Sequence, residues 1–239
     1  INIHGGCSRS APRKALRLNS VNEFDYPIFA NEPLRRHKRI LIRNSGNDWE
    51  NILFKDAAFH EISRGLNFSS QNTTPTIAFI NGEYWGIHNI RERIDKYYLN
   101  ELFKVPTDSL DLVEIKGSVE AQEGDLSNYN SLNNFISQNN FSSNILLDSL
   151  KNRIDIDNFM DYQIAQIFSA NWDWPQNNVR LWRKRVNNFD PAINGPSDGR
   201  WRWILFDIDS THPYETNSLN RILDYNNSYS LLIRKLLEN

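Results

Sequence analysis

Two short stretches of the sequence carry polar side chains whose types and spacing suit phosphoryl transfer. Asp173 and Asn178 lie five residues apart, around a proline, Pro175, that ends the preceding helical pattern. Asp207 and Asp209 directly follow a strongly apolar segment. Phosphoryl transfer needs a carboxylate that accepts or orients the proton of an acceptor hydroxyl, and oxygen ligands that hold Mg²⁺ against the phosphates. Asp173, Asn178 and Asp207 together supply those groups.

Both patterns also have an ordinary structural explanation. An Asp-x-x-x-x-Asn spacing arises by chance in many sequences, so alone it is a weak signal for a catalytic loop. Carboxylates at the end of a buried strand repel each other unless a cation or a donor compensates them. Arg180 or Arg183 would be enough for that, with no ligand involved.

Composition excludes several other classes of protein. The chain has 239 residues, one cysteine and a formal net charge of −2. Near-neutral charge argues against nucleic acid as a partner, because nucleic-acid-binding proteins present a basic face. A single cysteine excludes an intrachain disulfide and a cysteine-rich metal cluster. No run of about 18 apolar residues occurs, so we expect no membrane insertion within this chain.

The chain begins at Ile1, without an initiator methionine or a leader peptide. We therefore expect it to be a fragment of a longer protein whose targeting segment lies elsewhere. Its richness in asparagine, serine and aromatic residues favours a secreted or cell-surface protein. Nothing in the sequence indicates an oligomeric state.

The first part of the sequence has the alternating pattern of β-strands. Strands are predicted within residues 1–19 (a hairpin), at 39–43, and at 76–80 and 84–90 (a second hairpin). The Asn81-Gly82 pair in the second hairpin is the strongest short-range hairpin signal. One helix is predicted here, running from Asp48 as its N-cap to about Arg64.

Beyond about residue 95 the pattern is mainly helical. Helices are predicted at about 127–138, 143–152 and 157–170, and strands at 110–115 and 202–207. The last of these helices is apolar on overlapping faces, which is typical of a buried helix. A β-rich part followed by a helical part predicts an α+β fold with two lobes.

Successive motifs of the sequence resemble those of the CotH (spore coat protein H) family of atypical, secreted protein kinases. They lie at residues 5–18, 82–87, 91–95, 171–178 and 203–209, and they cover nearly the whole chain in the same order. The resemblance implies a single, divergent, two-lobed protein-kinase-like domain. Residues 1–95 would form the β-rich N-lobe that binds nucleotide phosphates, and residues 96–239 the mainly helical C-lobe with the catalytic and metal loops.

The resemblance also implies an activity: phosphorylation of serine on extracytoplasmic or cell-surface proteins, with ATP and Mg²⁺ or Mn²⁺. Asp173 would be the catalytic residue. The residues expected to bind ATP are Lys14, Arg9 and Glu92, and those expected to bind the metal are Asn178, Asp207 and Asp209. Glu61 and Glu50 are both candidates for the helix glutamate that pairs with Lys14, and His60 or Asp56 could face the same way.

Two other functions compete with the kinase hypothesis. The chain could be a catalytically inactive kinase-like module for surface or coat assembly. It could also be a metal-dependent phosphohydrolase that uses Asp207 and Asp209 as a pair, although such an enzyme needs further ligands that the sequence does not offer.

Overall fold

The computed structural model describes residues 1–30, 36–193, 195–211, 217–225 and 228–237. Within these ranges the chain forms seven α-helices and two antiparallel sheets, so the predicted α+β class is confirmed. The chain divides into two compact units. Unit 1 contains Ile1–Arg64, Ser70–Thr107 and Asp207–Ser210, and unit 2 contains Gly65–Ser69, Asp108–Phe206 and Thr211–Asn239. The boundary at residues 95 and 96 and the kinase-like arrangement of lobes stay predictions.

Unit 1 is built on a five-stranded antiparallel sheet. Its strands are β1 (Asn2–His4), β2 (Ala15–Asp25), β3 (Arg36–Arg43), β4 (Thr73–Ile80) and β5 (Glu83–Glu92), in the order β1-β2-β3-β5-β4. The turn between β4 and β5 has φ of 52° at Asn81 and 84° at Gly82. Two successive positive φ angles are what a tight hairpin turn requires, and the hairpin prediction is confirmed.

Helix α1 (Lys55–Ile62) of unit 1 begins later than the predicted helix that starts at Asp48. Leu53, with φ of 68°, interrupts the helical path before α1. Asp48 nevertheless caps the helix from a distance, because its carboxylate accepts hydrogen bonds from the backbone N–H groups of Ile52 (3.2 Å) and Lys55 (2.9 Å). Short 3₁₀ turns at Cys7–Ser10 and Gly46–Asp48 and the helix α2 (Lys96–Phe103) complete the regular structure of this unit.

Unit 2 combines a four-stranded antiparallel sheet with five helices. Its strands are β6 (Leu110–Ile115), β7 (Val119–Glu123), β8 (Val179–Lys184) and β9 (Arg202–Ile204), in the order β7-β6-β8-β9. The helices are α3 (Ser127–Gln138), α4 (Asn144–Lys151), α5 (Ile156–Phe168), α6 (Ser218–Asp224) and α7 (Leu231–Leu237). No helix among the described residues has the length and apolarity needed to cross a membrane.

The core of unit 2 positions the loop that follows α5. Three tryptophans, Trp174, Trp182 and Trp201, are almost completely buried in this unit. Trp182 lies on β8 and Trp174 lies in the loop itself, so burial of large aromatic surface fixes both the strand and the loop. Asp155 caps the start of α5 by accepting the N–H of Asn158, and the helix leads directly into the segment of Asp173 and Asn178.

Candidate active site

The loop between α5 and β8 brings Asp173 and Asn178 into direct contact. Asn178 Nδ2 donates a hydrogen bond to Asp173 Oδ2 at 2.8 Å. Asn178 is buried and has φ of 54°, in the left-handed region where asparagine is one of the few residues commonly found. This backbone angle turns the chain back, so that two side chains five residues apart meet. Because its nitrogen faces Asp173, the amide of Asn178 directs its oxygen elsewhere.

A chain of hydrogen bonds ties this loop to helix α5. The backbone N–H of Asp173 donates to Asn171 Oδ1 at 3.2 Å, and Asn171 Nδ2 donates to Gln166 Oε1 at 2.8 Å. Asn171 and Gln166 are fully buried, so these bonds form where water does not compete for the same groups. The backbone at Asp173 is therefore fixed through side chains from the end of α5.

Asp207 and Asp209 belong to a four-residue segment that packs within unit 1, although it follows strand β9 of unit 2. Arg43, the last residue of β3, contacts both carboxylates: its Nη2 pairs with Asp207 Oδ1 and lies 2.7 Å from Asp209 Oδ2. Asp207 has φ of 54°, so the aspartate itself adopts the left-handed conformation at this turn. This explains how the segment turns without a glycine.

Asp209 has further donors from the turn that contains Asn47. The backbone N–H of Asn47 donates to Asp209 Oδ2 at 3.1 Å, and its Nδ2 donates to Asp209 Oδ1 at 2.9 Å. Gly46 stands so close that a Cβ at this position would overlap Asp209 Oδ2. Both oxygens of Asp209 thus have protein donors. The predicted role of Asp209 as a metal ligand stays a prediction.

Helix α1 contributes Asp56 to the same cluster. Asp56 Oδ1 accepts a hydrogen bond from the backbone N–H of Ile208 at 2.7 Å, between the two candidate carboxylates in sequence. Its other oxygen pairs with Arg91 and lies 3.6 Å from Arg43 Nη1. Asp56 and Arg91 are buried, so each compensates a charge that burial would otherwise make costly. Helix α1 therefore holds the 207–209 segment through an aspartate.

The two glutamates considered as partners of Lys14 have other surroundings. Glu61, on α1, is exposed and binds Arg64 at 2.7 Å, and Glu50 is exposed and precedes the helix. The Lys14 ammonium group donates to the backbone carbonyls of Arg9 (2.7 Å) and Ala11 (2.8 Å). Lys14 thus binds the end of the 3₁₀ turn that contains Arg9, whose side chain is exposed.

Glu92, the residue predicted to lie near the nucleotide base, is buried at the end of β5. Its Oε2 accepts a hydrogen bond from the backbone N–H of Asn72 at 2.8 Å, and its carbonyl accepts one from Gln71 Nε2 at 2.7 Å. Burial raises the pKa of Glu92 to about 6, against the opposing effect of the Asn72 hydrogen bonds. A carboxyl group with this pKa changes its charge near neutral pH.

The pKa values of Asp207 and Asp209 are shifted in opposite directions within the Arg43 cluster. Burial raises the pKa of Asp207, but the charge and hydrogen bond of Arg43 outweigh it and hold that pKa below its ordinary value. Burial and the neighbouring Asp207 charge raise the pKa of Asp209 and outweigh Arg43. Asp207 is therefore the carboxylate that keeps its negative charge most firmly. A third of its side chain is exposed, whereas the side chain of Asp209 is fully buried.

The structure brings the predicted residues together as two contact groups and adds residues that the sequence analysis did not identify. Asp173 contacts Asn178 in unit 2, and Arg43 joins Asp207 to Asp209 in unit 1. In the Arg43 cluster, the residues that the sequence did not indicate are Arg43, Asn47 and Arg91. Asp56 was one of several candidates for the partner of Lys14. A strand that ends in an arginine gives no local sign that its partners lie more than 160 residues later.

Each of the two units contains a side chain of a type that binds magnesium in kinases. Kinase-type sites use one aspartate and one asparagine, and the substrate phosphates and water complete the coordination. Asp207 offers a charged carboxylate, and Asn178 offers its amide oxygen because its nitrogen is used by Asp173. Among the residues that the structure describes, no group of three or more His, Cys, Asp or Glu side chains is arranged to hold a metal.

These observations describe an α+β protein that carries a hydrogen-bonded Asp–Asn loop in unit 2 and an arginine-bound aspartate segment in unit 1. The chain belongs to the CotH family: the family described as CotH kinase protein matches residues 1–239, its entire length. The predicted resemblance is therefore confirmed, and the family name indicates a kinase-like spore coat protein. No curated protein matches the chain in a sequence comparison.

Proposed function

We propose that the protein is an ATP- and Mg²⁺-dependent phosphotransferase that phosphorylates serine on extracytoplasmic or cell-surface proteins. The observation that carries this proposal is the 2.8 Å hydrogen bond from Asn178 to Asp173, formed in a chain that matches the CotH kinase family throughout. An acid and an amide in this relation are the pair that a kinase catalytic loop needs.

Asp173 has the role of proton acceptor in this proposal. Its carboxylate would orient the serine hydroxyl and take its proton as the oxygen attacks the terminal phosphate of ATP. The hydrogen bond from Asn178 fixes the rotation of that carboxylate, and the bond from its own backbone N–H to Asn171 fixes the chain beneath it. A carboxylate held in this way loses little freedom when the acceptor arrives.

Asp207 and Asn178 would hold Mg²⁺, for which Mn²⁺ could substitute. When bound, the ion would neutralise the charge of the phosphates. Arg43 pairs with Asp207 through Oδ1 and so sets which way the carboxylate faces. Lys14 and Arg9 are proposed to contact the phosphates and Glu92 to lie near the base. The bonds from Lys14 to the carbonyls of Arg9 and Ala11 place its ammonium group on the same turn as Arg9.

The test is transfer of labelled phosphate from ATP, in Mg²⁺ or Mn²⁺, to the chain itself and to serine-containing proteins. We expect Asp173→Ala and Asp207→Ala to abolish transfer while circular dichroism shows an unchanged fold. Asp148→Ala is the matched control, because Asp148 is an exposed aspartate of α4 that pairs with Lys151. Transfer retained in both site variants would refute the proposal.

A second candidate function is a kinase-like module for surface or coat assembly that has lost catalysis. The observation that favours it is the complete set of protein donors around Asp209, together with Arg43 on Asp207. Such a cluster is stable without a ligand. Calorimetric titration with ATP and Mg²⁺ separates the two functions: heat of binding supports the phosphotransferase, and its absence together with an unchanged melting temperature supports the module.

A further inference from the structure

Arg221, on helix α6, binds the backbone of the loop that carries Asp173. Its Nη2 donates to the carbonyl of Asn171 at 2.5 Å, and its Nη1 donates to the carbonyl of Trp172 at 3.1 Å. One guanidinium group therefore holds two consecutive carbonyls immediately before the candidate catalytic residue. The planar fork of an arginine presents donors on both Nη atoms in a fixed geometry, which suits it to bind two carbonyls at once.

The same guanidinium group also contacts the aromatic rings on both sides of Asp173. Its central carbon lies 5.3 Å from the centroid of the Trp172 ring and 6.0 Å from that of Trp174. Cation–π contacts at such distances are favourable, most of all with tryptophan. Trp174 is buried, whereas Trp172 is half exposed, so Arg221 connects the loop's fixed aromatic anchor to its exposed one.

These contacts hold Asp173 from outside its own sequence segment. The backbone N–H of Asp173 donates to Asn171, and Asn178 donates to the Asp173 carboxylate, so both of these bonds form within the loop itself. Arg221 lies about fifty residues later in the chain and adds a tie between the loop and another helix. A loop with bonds of both kinds has fewer accessible conformations than one with local bonds alone.

We propose that Arg221 is a positioning residue: it fixes the backbone at residues 171–174, ahead of the proposed metal ligand Asn178, and thereby aims the Asp173 carboxylate at the acceptor hydroxyl. The aiming of Asp173 at an acceptor rests on the proposed phosphotransferase function. Arg221 acts through backbone carbonyls and rings and needs no contact with ATP or the acceptor. Its loss should therefore reduce the catalytic rate and leave nucleotide binding unchanged.

The first test compares the kinetics of the variant Arg221→Met with those of the wild type. Methionine keeps much of the apolar stem and removes every donor. We expect kcat to fall about tenfold to a hundredfold, the effect typical of a small misplacement of a catalytic group, with KM for ATP within about twofold. Arg234→Met is the matched control, because Arg234 on α7 also donates to a backbone carbonyl, that of Tyr225, and should leave kcat unchanged.

Two further variants separate positioning from a loss of folding. Arg221→Lys keeps the charge without the fork and should show an intermediate kcat. Arg221→Ala leaves a space that guanidinium ions at millimolar concentration can fill, and we expect these ions to restore part of its kcat without changing that of Asp173→Ala. An unchanged kcat in Arg221→Met, or a rise in KM for ATP equal to the loss of activity, would overturn the proposal.

Amide hydrogen exchange supplies a readout that does not depend on transfer activity. In Arg221→Met we expect faster exchange confined to residues 171–174, which Arg221 contacts, and exchange like that of the wild type in the rest of unit 2. If the wild type transfers no phosphate, the proposed function fails by itself, and exchange alone decides whether Arg221 holds the loop. Unchanged exchange in the loop would show that it does not.

Discussion

Replacing Arg43 with methionine should destabilise the protein strongly at neutral pH. Arg43 is mostly buried and contacts the carboxylates of Asp207, Asp209 and Asp56. Removing one partner of a buried ion pair costs about 3–5 kcal/mol. We expect the lower half of that range, because a third of Asp207 is exposed and Asp56 keeps Arg91. In a chain of this size, about 3–4 kcal/mol lowers the melting temperature by roughly 6–16 °C.

The pH dependence of this effect follows from the pKa of Asp207. In the wild type, Arg43 holds that pKa below its ordinary value despite burial. The resulting stabilisation is present above the pKa of an unfolded aspartate, roughly 3.9, and is lost as pH falls through the lower folded value. Without Arg43, burial is the largest effect, and we expect it to outweigh the smaller opposing effects of Arg91 and His4, to raise the pKa and to make ionisation of Asp207 oppose folding. The stability of Arg43→Met should therefore approach that of the wild type as pH falls from about 7 to about 4.5, and the difference between their melting temperatures should narrow.

Thermal unfolding followed by tryptophan fluorescence measures this difference, since the chain has seven tryptophans. Arg64→Met is the control variant: its pair with Glu61 is exposed, and such pairs contribute at most about 1 kcal/mol. The reasoning about Arg43 is wrong if Arg43→Met melts within about 2 °C of the wild type near pH 7. The reasoning is equally wrong if the difference in melting temperature between Arg43→Met and the wild type widens as the pH is lowered.

Two further predictions concern stability. Glu92→Gln should raise the melting temperature near pH 7.5 and have little effect on it near pH 4.5. Burial raises the pKa of Glu92 to about 6, so ionisation of Glu92 above that pH costs roughly 2 kcal/mol of stability, which glutamine avoids. Thermal melts at the two pH values measure this, and an equal effect of the substitution at both would contradict it. Gly46→Ala should lower the melting temperature more than Gly65→Ala does. Both glycines have positive φ, but a Cβ overlaps Asp209 Oδ2 only at Gly46 and meets open space at Gly65; similar melting temperatures for the two variants would show that the contact with Asp209 is unimportant.

Local features of the fold were predictable from the sequence. The hairpin at Asn81-Gly82 and helix α3 at residues 127–138 follow from turn chemistry and from apolar periodicity, and both are confirmed. Helix α1 was predicted to begin too early, because apolar spacing continues through residues 49–53 while Leu53 breaks the helical backbone. Strand β2 runs to Asp25, beyond the hairpin predicted within residues 1–19, because pairing with β3 extends it through residues of weak alternation.

The candidate site was predictable only where its parts are close in sequence. The spacing of Asp173 and Asn178 predicts that both lie in one loop, and the structure places them in contact. The Arg43 cluster depends on contacts between residues far apart in sequence, and no local pattern records which arginine meets which aspartate. The sequence predicts no contact between α1 and the 207–209 segment, which Asp56 makes by accepting the N–H of Ile208.

The division of the chain into interleaved units affects how the protein is made. The boundaries of the two units imply five crossings of the chain between them, at residues 64–65, 69–70, 107–108, 206–207 and 210–211. During synthesis at about 5–20 residues per second, roughly 5–20 s separate residue 107 from residue 207. If the sheet of unit 1 forms during that interval, its Arg43 lacks Asp207 and Asp209, so its charge cluster closes only after residue 209 has been made. Unit 1 is thus completed only after residues 108–206 of unit 2 have been synthesised, although most of its own residues come before them.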